Sequence, residues 1–347
     1  MRAWVLDDIK KYSLKEVPDP VVNEGEALID IKACGICGSD IPRAFSNGAH
    51  KMPIVIGHEF AGEVIECKSG RYKPGDRVGI FPLIPCKECY PCKAKKYEMC
   101  RHYNYLGSRC DGGFAEKVNV PEWNLIKLPD NVSFKAAAML EPMAVAVHSM
   151  RQLSDMRKTD SIAIYGLGTI GTLLALFLRD AGYEKIYAIG NKDFQKDTFV
   201  KLGFSEENFC DSRNEDADAW IMDKTKNRGV NHFFECIGKS ETISRTVDLT
   251  AAGGSICLVG NPYSDIMFDK NTYWKILRNQ LKISGTWNSS FTHDDNDDWH
   301  YVLDRISKGY INPEILITHE LKIDDVIKGF ELMRDKSEDY IKVMMCR

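Results

Sequence analysis

A stretch near the N-terminus brings together a thiol, an imidazole and a carboxylate. Cys37, His58 and Glu59 are donors that zinc accepts, and Cys37 and His58 stand 21 residues apart on either side of a loop with glycine and proline. Glu141 is the fourth candidate donor, because a lone carboxylate in the apolar run AAAMLEPMAVAVH is costly to bury unless a cation compensates it. Ser39 offers a hydroxyl that both donates and accepts protons. Together these residues predict a catalytic zinc site with an open coordination position.

A second set of donors lies in the segment PCKECYPCKAKKYEMC. Two consecutive Cys-x-x-Cys steps and a later cysteine can surround one zinc ion with four thiolates and leave no open position, as in a structural site. An iron–sulfur cluster is the alternative, since thiolate spacing alone does not exclude it. Four free thiols in a lysine-rich loop would be an oxidation hazard. We therefore predict two zinc ions per chain, the second held by Cys86, Cys89, Cys92 and Cys100.

The segment YGLGTIG has the pattern of a dinucleotide-binding turn. It follows an apolar strand and opens a helix, which is the context that binding a pyrophosphate requires. Gly166 allows the tight turn, Gly168 lets the backbone approach the pyrophosphate, and Gly171 permits close packing of helix on strand. Thr169 and Ile170 complete the turn, whose amides face the anion at the helix N-terminus.

The end of the next predicted strand indicates which nucleotide binds. Where an acidic residue would contact the ribose hydroxyls of NAD, the chain has Gly190, Asn191 and Lys192. The missing carboxylate removes repulsion of a 2′-phosphate, and Lys192 offers it a cation, so NADP(H) is favoured over NAD(H). Asp193 comes late in the turn for restoring the NAD contact, and the alternative for Lys192 is a solvated surface charge.

The pattern of predicted secondary structure changes once along the chain. Residues 1–130 alternate short strands with Gly and Pro turns, whereas from Lys158 onward apolar strands alternate with helical segments. This predicts an α/β protein with a curled β domain in residues 1–150, a parallel α/β domain in 151–286, and a return to the first domain in 287–347. The four-cysteine lobe, about residues 86–100, lies within the first domain.

Length and composition exclude several classes of protein. The 347 residues, 44% hydrophobic, suggest two domains, and the net charge of −4 argues against a nucleic-acid partner. The chain has no apolar run long enough for a membrane span, and residues 1–17 do not resemble a secretory signal. Twelve cysteines in this context point to a reducing compartment, so we expect a cytoplasmic protein.

Together and in this order, the zinc loop, the cysteine lobe, the Glu-Pro motif and the glycine turn resemble the zinc-dependent medium-chain dehydrogenases/reductases along essentially the whole chain. The polyol branch, with sorbitol and threonine dehydrogenases, is the most similar. The stretches CGSDIPR, NGAHKMPIVIGHEF, PLIPC and GSRCDGGFAE resemble the enzymes of that branch that act on galactitol 1-phosphate. The resemblance implies a GroES-like β domain enclosing a Rossmann domain, and a homodimer or homotetramer.

The resemblance also implies residue roles. Cys37, His58 and Glu141 match catalytic zinc ligands, and Glu59 matches an acidic neighbour that ligates the metal or stands just behind its ligands. Many family members have a relay histidine five residues after the zinc-binding cysteine, where this chain has Pro42. Water or His50 is then the candidate for passing on the proton from Ser39.

The expected reaction is oxidation of a polyol phosphate, or reduction of the matching ketose, by hydride transfer with a nicotinamide cofactor. Arg43, Lys51 and Arg109 are the candidates for holding the phosphate, although each can also be a solvated surface residue. One alternative is an unphosphorylated substrate such as sorbitol or threonine. Another is a nucleotide-binding regulatory protein that has lost the chemistry.

Overall fold

The computed structural model describes residues 1–347, which form two compact units. The first unit contains Met1–Ala144 and Ser289–Arg347, and the second contains Val145–Asn288. The C-terminal segment is therefore part of the first unit. The sequence placed the first boundary after residue 150, whereas the units meet inside the helix that runs from Leu140 to Arg151. An uninterrupted apolar helix gives no signal of such a division.

The chain forms eighteen strands. In order they are β1 Arg2–Asp8, β2 Lys11–Glu16, β3 Glu26–Ile36, β4 Ile54–Val55, β5 Glu59–Cys67, β6 Arg77–Ile80, β7 Leu83–Ile84, β8 Asn104–Tyr105, β9 Lys117–Pro121, β10 Leu125–Lys127, β11 Ser161–Tyr165, β12 Lys185–Gly190, β13 Phe209–Asp211, β14 Val230–Glu235, β15 Thr250–Leu258, β16 Lys282–Gly285, β17 Ile317–Leu321 and β18 Lys342–Cys346.

Eleven α-helices connect them, apart from short 3₁₀ and π turns. They are α1 Asp40–Pro42, α2 Tyr90–Lys93, α3 Phe134–Ala138, α4 Leu140–Arg151, α5 Thr169–Asp180, α6 Asp193–Lys201, α7 Ala217–Lys224, α8 Ser240–Leu249, α9 Lys270–Arg278, α10 Asp298–Ser307 and α11 Val326–Asp335. No helix has both the length and the apolar character needed to cross a membrane.

The first unit is built on short, mostly antiparallel strands. Its largest sheet has the order β10-β6-β5-β3-β18-β17, and β9 also pairs with β3. The long strand β3 is buried along most of its length, because strands cover both of its edges and the core covers its faces. Its neighbour β18 comes from the far end of the chain, so the last residues complete the sheet on which the zinc loop is built.

The second unit is a parallel sheet of order β13-β12-β11-β14-β15-β16, as the alternating strands and helices predict. The first strand, β11, lies in the middle, and the chain continues to one side through β12 and to the other through β14. Ligands of such sheets bind at the carboxyl end of the strands where the order reverses. The sequence did not reveal β13, which is only 3 residues long.

The core of the first unit closes around Phe330 of α11. Its ring lies 4.8 Å from that of Tyr12, 5.4 Å from Phe114 and 6.5 Å from Phe45, measured between ring centroids. These partners come from three separate segments in the first third of the chain. The side chain of Phe330 therefore ties the C-terminal helix to the N-terminal sheet.

We expect Phe330→Ala to lower the free energy of unfolding by about 3–5 kcal/mol, because it leaves a cavity among these rings. Urea denaturation followed by tryptophan fluorescence measures this. Lys328→Ala, on the exposed side of the same helix, is the control and should change stability by less than about 0.5 kcal/mol. Equal effects of the two substitutions would contradict the structural role given to Phe330.

Candidate active site

The four cysteines of the lobe converge on one point. Their Sγ atoms lie within 4.8 Å of one another, with separations of 3.5 Å for Cys89–Cys92 and 3.9 Å for both Cys86–Cys92 and Cys89–Cys100. A tetrahedral zinc ion with Zn–S bonds of about 2.3 Å requires sulfur separations of about 3.8 Å. The observed distances fit one such ion, and they leave no space for the inorganic core of an iron–sulfur cluster.

Backbone amides point at these sulfurs. The amide of Cys86 donates to Sγ of Cys100 at 3.2 Å, and that of Cys89 donates to Sγ of Cys86 at 3.4 Å. The amides of Arg101 and Cys92 lower the pKa of the Cys89 thiol to about 6. Burial raises the pKa of the Cys92 and Cys100 thiols, so a bound cation is needed for all four sulfurs to be thiolates, the form that binds metal.

The second group of donors lies where β3 ends and β5 begins. Gly35 and Glu59 are antiparallel partners in these strands, so Cys37, just beyond β3, comes beside His58, just before β5. Donor atoms of Cys37, His58 and Glu59 lie within 4.8 Å of one another, and the last two residues are buried. Sheet register thus joins residues that the sequence separates, and the donor set suits zinc.

Asp40 supports this group from behind, a role that the sequence did not reveal. Its carboxylate is fully buried, accepts from the amide of Cys37 at 3.1 Å, forms an ion pair with Arg43, and lies 3.4 Å from Nδ1 of His58. Burial would raise the pKa of Asp40, but His58 and Arg43 hold it below its ordinary value. A carboxylate behind a metal-binding imidazole orients the ring.

Glu141 lies close by in α4, just outside that set of mutually close donors. Its Oε1 accepts from the hydroxyl of Tyr105 at 3.3 Å. Burial raises the pKa of Glu141 to about 7, an effect that Glu59 adds to and that His58 and Lys342 oppose. A carboxylate in this environment needs a nearby cation to stay ionised, as the sequence argument anticipated.

Lys342 is the other residue that the sequence did not reveal. It is only 2% exposed, forms an ion pair with Glu59 through Oε2, and donates to the carbonyl oxygen of Ile36 at 3.1 Å. Its charge also acts on Cys37 and Glu141. The site therefore contains a buried ammonium in addition to its three acidic donors.

The predicted proton carrier is in place next to the donors. Oγ of Ser39 donates to Sγ of Cys37 at 3.3 Å. Pro42 ends the short helix α1, so no imidazole occupies that turn. His50 lies in the following loop, where burial and the charges of Arg109 and Arg43 lower its pKa. A lowered pKa favours the neutral form of this imidazole and makes it a weaker base.

The effects of Arg43, Arg109 and Lys51 on neighbouring pKa values show which groups these basic residues lie near. Arg43 and Arg109 are both close enough to His50 to lower its pKa, and Arg43 also acts on Tyr105. The guanidinium of Arg109 lies 4.6 Å from the ring centre of Tyr103, and its Nε is buried without a hydrogen-bond partner. Lys51 is exposed, and its charge acts on Cys110.

The glycine turn has the geometry that its pattern predicts. Gly166 has φ +99°, and a Cβ there would lie 2.6 Å from Cγ1 of Ile237. A Cβ at Gly171 would lie 2.0 Å from the carbonyl oxygen of Gly166, so this position requires glycine for close packing. Gly168 caps α5 and faces open space, as a backbone that approaches a phosphate must. Thr169 and Ile170 form the first turn of that helix.

Gly190 ends β12, and its lack of a side chain has a steric cause. A Cβ would lie 2.6 Å from Cζ of Phe209 and 2.8 Å from Oε1 of Gln195. A carboxylate could therefore not be placed here without displacing both neighbours. Asn191 donates its amide to Gln195 at 3.0 Å, and Lys192 caps α6 with its Nζ 5.1 Å from the ring centre of Phe194.

Arg213 is a further cation at this end of the sheet, and the sequence gave no signal for it. It follows β13, the neighbour of β12, and its guanidinium bonds Asp211 at 2.9 Å and Asp193 at 2.5 Å. Asp193, the acidic residue nearest to Gly190 along the chain, is therefore already neutralised by an arginine.

Two family models match the chain. Residues 23–130 match the alcohol dehydrogenase GroES-like domain, and residues 169–308 match the zinc-binding dehydrogenase domain. These matches confirm the predicted GroES-like and Rossmann folds.

Similar proteins act on several substrates. The chain is 30% identical to galactitol 1-phosphate 5-dehydrogenase of Escherichia coli K12 over 90% of each chain. It is 31% identical to L-threonine 3-dehydrogenase of Bacillus velezensis over 93% of this chain and 92% of that one.

Solved structures give the same assignment. Galactitol-1-phosphate dehydrogenase from Escherichia coli superposes with a TM-score of 0.92 at 28% identity over 100% of both chains. A protein from Sinorhizobium meliloti 1021, described as a zinc-binding dehydrogenase and bound to NADP, superposes with a TM-score of 0.90 at 25% identity over 100% and 99% of the two chains. The chain therefore belongs to the zinc-dependent alcohol and polyol dehydrogenases of the medium-chain dehydrogenase/reductase family.

Proposed function

We propose that this dehydrogenase oxidises a polyol phosphate resembling galactitol 1-phosphate to the keto sugar phosphate, or catalyses the reverse reduction, with NADP(H). The observation that supports the substrate class is Arg109, whose buried Nε lacks a hydrogen-bond partner close to His50 and Arg43. A buried donor without a partner is costly, so a shift of this guanidinium toward an anionic ligand would give it an acceptor.

The catalytic zinc ion is assigned to Cys37, His58 and Glu59, whose donor atoms lie within 4.8 Å of one another, with Glu141 beside them as the fourth candidate ligand. Zinc bound there supplies Lewis-acid polarisation of the substrate oxygen, and a bound nicotinamide supplies the hydride acceptor. Ser39, whose Oγ donates to Sγ of Cys37 at 3.3 Å, then accepts the proton of the substrate hydroxyl. Since Pro42 replaces the familiar relay, His50 or water passes that proton to solvent.

The basic residues recognise the phosphate in unequal ways. Arg43 is bound to Asp40, so its guanidinium contributes positive charge more than free donors. Arg109 has no carboxylate partner, because its guanidinium lies against the ring of Tyr103. We therefore assign the direct phosphate contact to Arg109, with Arg43 raising the local potential and exposed Lys51 at the rim.

The preference for NADP(H) is supported by two features of the β12 end. Gly190 leaves no room for a carboxylate, and Asp193 is paired with Arg213. Lys192 then provides positive charge where a 2′-phosphate would lie, beyond the carboxyl end of β12, while Arg213 offsets the carboxylates of Asp193 and Asp211. NAD(H) is the alternative, with Asp193 released from Arg213 to contact the ribose.

Self-association is proposed through the outer edge of the second unit. Strand β16 is the last strand of its sheet, and an unpaired edge is a template for another strand. Large apolar side chains are exposed on and near β16 and α9: Tyr263, Met267, Tyr273, Trp274, Leu277, Ile283 and Trp287. A second copy of the chain would cover this surface in a homodimer, and a tetramer would pair two such dimers.

Metal analysis by mass spectrometry tests the two zinc sites. We expect two zinc ions per wild-type chain and one in Cys37→Ser, whose kcat/KM should fall by about 10³-fold, since the metal supplies several kcal/mol of transition-state stabilisation. Cys92→Ser should also lose one ion, and its melting temperature should fall, because a structural metal contributes to folding. A wild-type chain with a single zinc ion and no turnover on any polyol would contradict the proposed function.

The phosphate contact is tested with Arg109→Met. Losing a charged hydrogen bond should lower kcat/KM for galactitol 1-phosphate by about 10- to 100-fold and leave kcat/KM for sorbitol nearly unchanged. Arg101→Met is the matched control, since Arg101 is an exposed arginine of the same region. The phosphate assignment would be wrong if the wild-type enzyme preferred sorbitol or threonine. It would also be wrong if Arg109→Met lowered kcat/KM equally for all substrates.

The cofactor assignment is tested by titrating the enzyme with NADPH or NADH and following its intrinsic fluorescence. Lys192→Ala and Arg213→Ala should each weaken NADPH binding by about tenfold, equivalent to ~1.4 kcal/mol, and affect NADH little. Lys196→Ala is the control, because Lys196 on the same helix pairs with Glu206. Equal losses for both nucleotides would remove the basis for NADP(H).

A further inference from the structure

The second unit contains a fully buried carboxylate that the chemistry proposed above does not use. Glu235 is 0% exposed, and the donors that contact its carboxylate are all uncharged. They are the amide of Ile237 at 3.0 Å, the amide of Gly238 at 2.9 and 3.0 Å from the two oxygens, and the hydroxyl of Thr242 at 2.7 Å. Burying a carboxylate without a cation is costly, so a cluster of donors aimed at it calls for a specific explanation.

The position of Glu235 in the sheet suggests what the cluster is for. Glu235 is the last residue of β14, and it is paired with Tyr165, the last residue of β11. The strand order reverses between these two strands, and ligands of such sheets bind in the crevice beyond their carboxyl ends. The carboxylate therefore lies at the base of a loop that borders this crevice.

Glu235 holds two loops at once. Its carboxylate accepts from the loop that follows β14, while its main-chain carbonyl accepts from the amides of Val259 and Gly260, in the loop that follows β15, at 2.8 Å each. The two loops pack backbone against backbone, because a Cβ at Gly260 would lie 2.2 Å from the amide nitrogen of Gly238. Moving one loop would therefore displace the other.

The first of these loops also packs on the glycine turn. A Cβ at Gly166 would lie 2.6 Å from Cγ1 of Ile237. Dinucleotide-binding sheets consist of two halves that each hold one mononucleotide. The proposed site places the adenosine half at β11–β13, where the glycine turn and Gly190 lie. The loops after β14 and β15 therefore border the half that remains for the nicotinamide mononucleotide.

We propose that Glu235 is a positioning residue for the cofactor: its carboxylate fixes the loops after β14 and β15 in the arrangement that holds the nicotinamide half of the bound nucleotide. Glu235 acts through these loops and is assigned no contact with the cofactor. The inference rests on the proposed binding of a nicotinamide nucleotide at this sheet. It does not depend on the preference for NADP(H) over NAD(H).

Glu235→Gln in the full-length enzyme is the first test. The amide nitrogen of glutamine cannot accept a hydrogen bond, so a backbone donor of the loop loses its acceptor. Isothermal titration calorimetry compares NADPH with 2′,5′-ADP, its adenosine half, and NADH with AMP. We expect the affinity for both complete nucleotides to fall by about 10- to 100-fold, as for loss of a hydrogen bond to a charged group, and that for both adenosine halves to change less than about twofold.

Thr242→Val gives an independent test should Glu235→Gln fold poorly. It removes one donor to the carboxylate and keeps the volume of the side chain, so NADPH and NADH should bind about 3- to 10-fold more weakly. Thr246→Val is the matched control. Thr246 lies one turn later in α8, is also fully buried, and donates to the carbonyl oxygen of Thr242 at 2.8 Å. Its substitution should leave the affinity for all four ligands unchanged.

A purely structural role gives a different result. Glu235 also lies at the N-terminus of α8, where a carboxylate stabilises the helix, so the melting temperature is measured for each variant. If Glu235→Gln and Thr242→Val lower the melting temperature but leave the affinity of NADPH relative to 2′,5′-ADP as in the wild-type enzyme, Glu235 only caps the helix and the inference is overturned. Equal losses for the complete nucleotides and for their adenosine halves also overturn it.

Failure of the proposed function is recognised separately. If the wild-type enzyme binds neither the complete nucleotides nor their adenosine halves, the proposed cofactor site itself is wrong, whatever the variants do.

Discussion

The excess of buried negative charge around Cys37 is the constraint on which the first unit depends. Asp40, Glu59 and Glu141 are buried there, and the thiolate of Cys37 would be a fourth anion, whereas Arg43 and Lys342 are the cationic side chains that pair with this group when His58 is neutral, as a metal-binding imidazole must be. Like charges in an interior of low dielectric repel strongly. The deficit of two positive charges equals the charge of one divalent ion, so a metal completes the electrostatics as well as the chemistry. Burial, with a smaller contribution from the charge of Glu59, raises the pKa of Glu141 to about 7 when no ion is counted.

The fold meets this constraint with strands from both ends of the chain. Strands β3 and β5 bring the thiol and the imidazole together, and β18 adds the ammonium across Gly35. Helix α11, which precedes β18, is anchored by Phe330 among aromatic rings of the N-terminal segments. The site is thus assembled only when the last residues have joined the first sheet. This explains why residues 289–347 fold with the first unit although the second unit separates them in sequence.

Sequence reasoning found what is encoded locally. The four cysteines, the glycine turn and the pair Cys37 and His58 have spacings that are read within a few dozen residues, and the apolar run around Glu141 marks a charge that needs a partner. Lys342 is likewise a lone charge in an apolar run, YIKVMM. Its partner Glu59 is 283 residues away, however, and only the sheet register reveals the pairing. The sequence did not predict a role for Arg213, because it follows a strand of three residues that is too short to show a pattern. Asp40 stands inside a recognised motif, yet its burial and its contact with the amide of Cys37 are tertiary facts.

Specificity for phosphates must be local in this chain. A protein with a net charge of −4 does not attract anions as a whole, so each phosphate requires cations held at one place. In the proposed NADP(H) site at the end of β12, exclusion would act as much as attraction: Phe209 and Gln195 leave no space for a carboxylate at Gly190, and Arg213 pairs with Asp193. Near the zinc donors, Arg43 is held by Asp40, while Arg109 keeps a buried donor without a partner. An arginine bound to a carboxylate orients the site, whereas an arginine stacked on an aromatic ring keeps its donors for the ligand. In the proposed function, Arg109 is therefore the residue that would distinguish a phosphorylated substrate from an unphosphorylated one.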